Sequence, residues 1–362
     1  MKIFLLPVAI LIGILIITAI IFNNYSPISI QSGENRNNEN TGNDKGAIWK
    51  STDAGRTFEP KSRVASNSSS NLSKNVISLY RGADKDIIAV TGRGSIFKTS
   101  NWGNEWNPVI NSSIIPTTVG INPNNTNEIY IGAIESKRAR LYKTTIIEKL
   151  NEAQEVYTEP KSGPSFVSIK VNPKNDNIVY ALLSSGVLLK SYNKGLDWVL
   201  ATNLKATVIG LEINPQNTEN IIVFGITNIF NSIDGGFTFE ESTPRLKSRA
   251  VTGSQITSFA VNPNNFNEIY IGSTGELLRT EDGGKTWTNI RILTPNLSLA
   301  VTNIRVSESD ANVIYYNVGT VLYASSNKGE TWNTSDLSTI VKNITDLLID
   351  REKSDIIYIS SN

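Results

Sequence analysis

One short pattern, repeated six times, constrains this chain more than any other feature in it. The pattern is Ser/Thr-x-Asp/Asn-x-Gly-x-x-aromatic. It runs through Ser51, Asp53, Gly55 and Phe58, then Thr99, Asn101, Gly103 and Trp106, then Ser191, Asn193, Gly195 and Trp198. It returns as Ser232, Asp234, Gly236 and Phe239, as Thr280, Asp282, Gly284 and Trp287, and as Ser325, Asn327, Gly329 and Trp332. Each position has a physical task. The Asp or Asn accepts hydrogen bonds from nearby backbone N–H groups, the Gly supplies positive φ, and the hydroxyl ties the turn further. The closing aromatic can bury about 150–250 Å², worth about 4–6 kcal/mol at roughly 25 cal/mol/Å² before entropy is subtracted. These residues therefore read as structural staples of a tight hairpin turn.

A second motif precedes the first: an alternating apolar run, an Asn-Pro turn, then a strand ending in small residues. Val119 to Gly132, Ile169 to Leu182 and Leu211 to Gly225 follow it, and the segments Asn122 to Gly132 and Asn262 to Gly272 differ at a single residue. Pro and Asn restrict the turn, and Ile/Val/Tyr alternation favours half-buried strands on either side. Joined, the two motifs give a four-stranded meander: strand A, Asn-Pro turn, strand B, loop, strand C, Asp-type turn, strand D. First strands are expected near Val76, Thr118, Val167, Val208, Ile256, Asn303 and Ile344. That spacing of about 41–49 residues is the length of one β-propeller blade.

The last unit is incomplete, supplying only strands A and B at Ile344 to Ile349 and Asp355 to Ser360, while Ala47 to Pro60 is an orphan C and D pair. Together they complete one blade. The fold class expected is therefore all-β, a seven-bladed β-propeller closed by pairing the two termini, which covers the edges an open sheet would expose. The second unit departs from the pattern: Ile146 to Ala153 lacks the Asp and Gly turn and reads as a helical excursion.

Over residues 46–362 the repeats resemble those of the Asp-box, or bacterial neuraminidase repeat (BNR), propellers. The arrangement is most similar to the sortilin/Vps10-type propellers and the photosystem II assembly factor (Ycf48-like) propellers. That resemblance implies a propeller built for protein binding. The same turns occur in sialidases and in xyloglucan-active glycoside hydrolases, where they sit away from the catalytic centre. Sialidases resemble one another in an Arg-Ile-Pro segment and in three arginines that clamp a carboxylate; the Arg-Ile-Pro segment is absent here, and no Tyr or Glu is placed by a matching local pattern. Xyloglucan-active relatives generally build their cleft from two propellers, and this chain has room for one.

Composition narrows the chemistry further. The 362 residues include no His and no Cys, which removes Ser-His-Asp and Cys nucleophiles, His/Cys zinc sites, haem ligation through His, and disulfides. No metal and no cofactor is expected. Carboxylates drawn from distant blades remain able to hydrolyse glycosidic bonds, so an exported glycoside hydrolase, sialidase-like or xyloglucanase-like, stands as the alternative to a non-catalytic binding or assembly scaffold. A purely structural spacer is the third reading.

From Ile3 to Phe22 the chain is apolar or small and uncharged, a run of about 20 residues that spans a roughly 30 Å hydrocarbon core. Phe22, Asn23, Asn24 and Tyr25 offer no small-x-small cleavage site, which favours an uncleaved signal anchor over residues 1–23, with a cleaved signal peptide as the alternative. Lys2 and the amino terminus keep the N-terminus cytoplasmic. Residues 24–45, polar and aperiodic, form a flexible tether, and the propeller would lie outside the cytoplasm as part of a single-pass membrane protein.

A–B and C–D turns share one face of a propeller, while B–C loops and D–A connections share the other. Both recurrent motifs occupy the first face, so recognition is expected on the second. Basic residues gather there: Arg93 in the first B–C loop, Lys137, Arg138 and Arg140 in the second, and Arg245, Lys247 and Arg249 before the fifth blade. On a chain of formal net charge +1, such a patch would favour an acidic protein partner or an anionic glycan. Solvated loop charges are the plainer reading of the same residues. Nothing there resembles a stacking surface for bases, so nucleic acid is not an expected partner.

Overall fold

The computed structural model describes residues 47–361, apart from 66–71, 73–74, 83–84, 93, 112–114, 146–152, 245–254 and 294–298. Those residues form seven four-stranded antiparallel sheets, each in the order A, B, C, D. Blades 1 to 7 begin with strands A at Val76–Arg81, Ile115–Ile121, Phe166–Val171, Val208–Ile213, Ser258–Asn262, Thr302–Val306 and Ile344–Ile349. The expected starts fall within three residues of these. The largest shift is in blade 2, where Ile115 and Pro116 pair with Ile134 and Ala133 ahead of a register irregularity at Pro116/Thr118.

The seventh blade closes as expected from the terminal half-units. Its strands A and B (Ile357–Ser361) come from the end of the chain, and its strands C (Ile48–Ser51) and D (Glu59–Pro60) come from near the start. Ile48, Trp49, Lys50 and Ser51 pair antiparallel with Ser360, Ile359, Tyr358 and Ile357.

Strand B is wholly buried in five of the seven sheets. Ile87–Thr91, Val179–Leu183, Ile221–Gly225, Ile314–Val318 and Ile357–Ser361 are buried at every position, because both faces of each blade are covered by its neighbours. Both faces of strand B must therefore be apolar, which explains runs without polar alternation. The core accordingly falls into seven clusters, one at each boundary between blades. Backbones approach closely at these boundaries. A Cβ on Gly210 would lie 2.3 Å from Cζ of Phe259, so only glycine lets Phe259 stack on Phe224 at 3.9 Å.

Blade 2 differs from the other six. Its strands B (Glu128–Glu135) and C (Arg138–Thr145) are joined by Ser136 and Lys137, both at positive φ, the geometry of a two-residue hairpin turn. Strand D (Gln154–Ser162) is the longest outer strand described. The helical excursion expected at Ile146 to Ala153 lies outside the described residues except for Ala153, which is not helical. The signal anchor of residues 1–23 and the tether also lie outside the described residues. Among those described, no helix is long and apolar enough to cross a membrane.

Candidate functional site

The recurrent turns are saturated with internal hydrogen bonds. In blade 7, Asp53 Oδ1 accepts from Ser51 Oγ at 2.7 Å, Arg56 N at 3.0 Å and Thr57 N at 2.9 Å, and Oδ2 accepts from Thr57 Oγ1 at 2.6 Å. Ser51 Oγ accepts from Gly55 N at 2.8 Å. Asp234 and Asp282 repeat the arrangement, with Thr238 and Thr286 hydroxyls donating at 2.6 Å. Hydrogen bonds from Thr57 hold the Asp53 carboxyl down at about 2. The Asp234 and Asp282 carboxyls are lowered in the same way, first by their threonine hydroxyls.

Asn101 Oδ1 accepts from Glu105 N at 3.0 Å. Asn193 and Asn327 also close their turns with the amide as donor, Asn193 to Asp197 Oδ2 at 2.8 Å and Asn327 to Thr331 Oγ1 at 2.9 Å. With side-chain oxygens accepting from their own loops, these six residues act as turn formers.

The strands A line a central channel of about 1070 Å³. Its charges are paired across strands: Lys170 with Glu212 at 2.7 Å, Arg305 with Asp346 at 2.5 Å, and Arg81 with Glu308 at 2.6 Å. Glu308 also meets Arg351 at 3.1 Å. Two of these pairs surround strand A of the closing blade. Asp346 accepts from Leu79 N of blade 1 at 2.9 Å and from Arg305 of blade 6, while Arg305 Nε donates to Leu347 O at 2.8 Å. Arg81 donates to Ile349 O and reaches past blade 7 to Glu308. The closing strand is thus gripped from both sides by side chains in the channel. These residues escaped the sequence reading. The available signal was a charge inside an otherwise apolar inner strand, as at Lys170, Glu212, Arg305 and Asp346.

A second feature missed in sequence is the docking of each turn onto the preceding blade. Tyr180 Oη donates to Gly235 O at 3.2 Å and Tyr358 Oη to Trp102 O at 3.2 Å. Tyr130 Oη lies 2.9 Å from both Lys194 O and Glu128 Oε1. A strand C cation covers the tyrosine ring, with Lys190 Nζ 5.1 Å from the Tyr180 centroid and Arg279 5.8 Å from that of Tyr270. In blade 5 the buried Glu268 gathers Asn262 at 2.7 Å, Tyr270 at 2.7 Å, Arg279 at 2.7 Å and Lys328 of blade 6 at 3.2 Å. Burial works to raise that carboxyl, yet the hydrogen bonds from Tyr270, Asn262 and Lys328, with the Arg279 charge, hold it below its ordinary value.

The expected basic patch is only partly in view. Arg93, Arg245, Lys247 and Arg249 lie outside the described residues. Lys137 and Arg138 are exposed at the blade 2 hairpin, but Arg138 and Arg140 belong to strand C rather than to a loop, because two turn residues suffice to reverse the chain there. Arg140 is neutralised by Glu155 at 2.7 Å and Glu135 at 2.9 Å. Among the described residues no group of three or more acidic, His or Cys side chains is placed to hold a metal.

Fold, closure and turn geometry together define the class as a seven-bladed Asp-box propeller. The profile described as "Photosynthesis system II assembly factor YCF48" matches residues 25–213 and 199–361, and the chain belongs to that family. No curated protein matches the sequence. Among solved structures, YCF48 bound to D1 peptide is 14% identical at a TM-score of 0.60, with 80% of this chain and 92% of that one covered. YCF48 from Cyanidioschyzon merolae is 12% identical at 0.61, covering 80% and 96%. A GH74 enzyme from Niastella koreensis is 19% identical at 0.65, covering 80% of this chain and 51% of its own. The chain thus spans about half the length of that enzyme, and at these identities the likeness is one of fold.

Proposed function

We propose that this chain is a non-catalytic scaffold that captures a polypeptide partner, held at a membrane by residues 1–23 with the propeller on the extracytoplasmic side. The observation that carries this reading is the family match, which runs from residue 25 to residue 361. A relative of the same fold bound to D1 peptide supports a polypeptide as the partner class. The channel points the same way. Glu212, Glu308 and Asp346 each meet a Lys or Arg within 4 Å, an arrangement that occupies the carboxylates a glycosidase would turn toward its substrate. Lys137 and Arg138, exposed at the blade 2 hairpin, would attract an acidic polypeptide or an anionic glycan.

Crosslinking of the full chain in its native membrane, followed by mass spectrometry, tests the assignment. Arg138→Glu and Arg245→Glu are expected to remove crosslinks that the unaltered chain makes; an unchanged set would eliminate the basic face as the binding surface. The hydrolase alternative is favoured by the shared GH74 fold. Turnover of xyloglucan or a sialoside, lost on replacing one carboxylate, would displace the scaffold reading.

A further inference from the structure

The six Asp-box turns present two outward positions each, one immediately after the Ser/Thr and one immediately after the Gly. In blades 7, 1, 5 and 6 these are Thr52 and Arg56, Ser100 and Asn104, Glu281 and Lys285, and Ser326 and Glu330. The turn's hydrogen bonds make no demand on either position, so polar residues are what solvent exposure selects. The adjacent blades 3 and 4 break the rule together. Tyr192 and Leu196 stand 52% and 58% exposed, and Ile233 and Phe237 stand 81% and 47% exposed. Just past the blade 3 turn, Val199 and Leu200 are 49% and 62% exposed, where the other five boxes place no aliphatic side chain except Pro60 and Pro108.

These residues form neighbouring elements of one surface. Lys190 Nζ lies 5.2 Å from the Tyr192 ring and 4.7 Å from the Phe237 ring, bridging the two turns. An apolar surface confined to two neighbouring copies of a repeated turn has no role in forming the turn, since four copies form it without one. Contiguous exposed apolar area of this kind marks an interaction site.

The charges around it select the partner. Asp197, Glu240 and Glu241 are exposed in the same turn and strand segments; Asp197 accepts from Asn193 and Glu241 from Asn228, neutral amides that leave both carboxylates charged. The nearby lysines are committed elsewhere: Lys194 pairs with Asp176 at 2.9 Å, and Lys190, 4% exposed, donates to Gly235 O at 2.9 Å. We infer that the turns of blades 3 and 4 bind a polypeptide segment whose apolar side chains are flanked by Lys or Arg. The site goes beyond the basic face proposed above: it lies on the opposite face of the ring, with the opposite charge preference. An anionic lipid surface would be repelled by the same carboxylates.

The four blades that lack the patch supply its test. Tyr192→Ser with Leu196→Glu, and Ile233→Glu with Phe237→Lys, install residues that blades 5 and 6 already carry at these positions, so the turns are expected to survive. The full chain, in nanodiscs of neutral lipid, is titrated with a Leu/Phe-rich synthetic peptide ending in lysines, its glutamate-ended counterpart and a serine-for-Leu/Phe control. Binding of the lysine-ended peptide alone, weakened at least tenfold by either double substitution with an unchanged thermal transition, is the expected result. Equal binding of the glutamate-ended peptide, or binding untouched by both double substitutions, overturns the inference. So does concentration-dependent dimerisation, or capture of phosphatidylglycerol vesicles, that the substitutions abolish, since a second copy or a bilayer would then be the occupant.

Discussion

Asp53, Asp234 and Asp282 occupy the position that Asn101, Asn193 and Asn327 hold in the other turns; Oδ1 accepts in all six, and the second side-chain atom accepts in the aspartates but donates in Asn193 and Asn327. The aspartates accept from a threonine hydroxyl at 2.6 Å, whereas Asn327 donates to one at 2.9 Å. Only the aspartates can be protonated. A carboxyl whose pKa falls on folding adds stability above its unfolded value, and that stability is lost as pH drops through the folded one. With Asp53 moving from 3.8 to about 2 and Asp234 lowered alongside it, the loss falls in the window below about pH 4. Asp53→Asn combined with Asp234→Asn is therefore expected to lower the urea midpoint at pH 7 and to flatten the acid limb of the midpoint-against-pH curve, because the stability those carboxylates add above about pH 4 goes with them. An acid limb as steep as that of the unaltered chain would show that these carboxylates do not carry it.

Between elements, the stabilising unit is the contact of one blade with the turn of the next. Glu128 and Glu268 occupy equivalent places in blades 2 and 5, each joined to an Asn of the A–B turn, a strand B tyrosine and a strand C cation. Their side chains are 12% and 2% exposed. Removing one charge from a buried network strands its partners, at a cost of about 3–5 kcal/mol, and the cost shrinks as water reaches the site. Glu268→Gln is expected to lower the free energy of unfolding by an amount in that range and Glu128→Gln by distinctly less, read from urea denaturation of the two variants. Equal losses would mean that burial does not set the value of these nodes.

At the scale of the whole molecule, closure depends on holding a blade assembled from both ends of the chain. Strands B and C of that blade pair over four residues, and Asp346 ties blades 6, 7 and 1 together from inside the channel. Asp346→Ala removes the acceptor of Leu79 N and the partner of Arg305. We expect a loss of about 2–4 kcal/mol, with the first protease cuts falling at the seam between residues 344 and 361. Cuts appearing first in another blade would place the weak point of the ring elsewhere.

The six turn motifs, the strand order and the terminal closure were legible in the sequence because each rests on local chemistry. A turn needs its Asp or Asn, its Gly and its hydroxyl at fixed spacing, and a repeat of blade length leaves few ways to bury its strands. Strand starts were less sharply marked, as at Ile115, because backbone pairing continues past the last residue whose side chain announces it. The channel latch, the tyrosine contacts between blades and the neutralisation of Arg140 joined residues far apart in the chain or in strands whose pairing was not yet known. So did the apolar surface shared by Tyr192, Leu196, Ile233 and Phe237. Spacing along a chain fixes how a turn closes and how often it recurs; only folding the ring decides which side chains from different blades meet, because that depends on distances through space that no local pattern encodes.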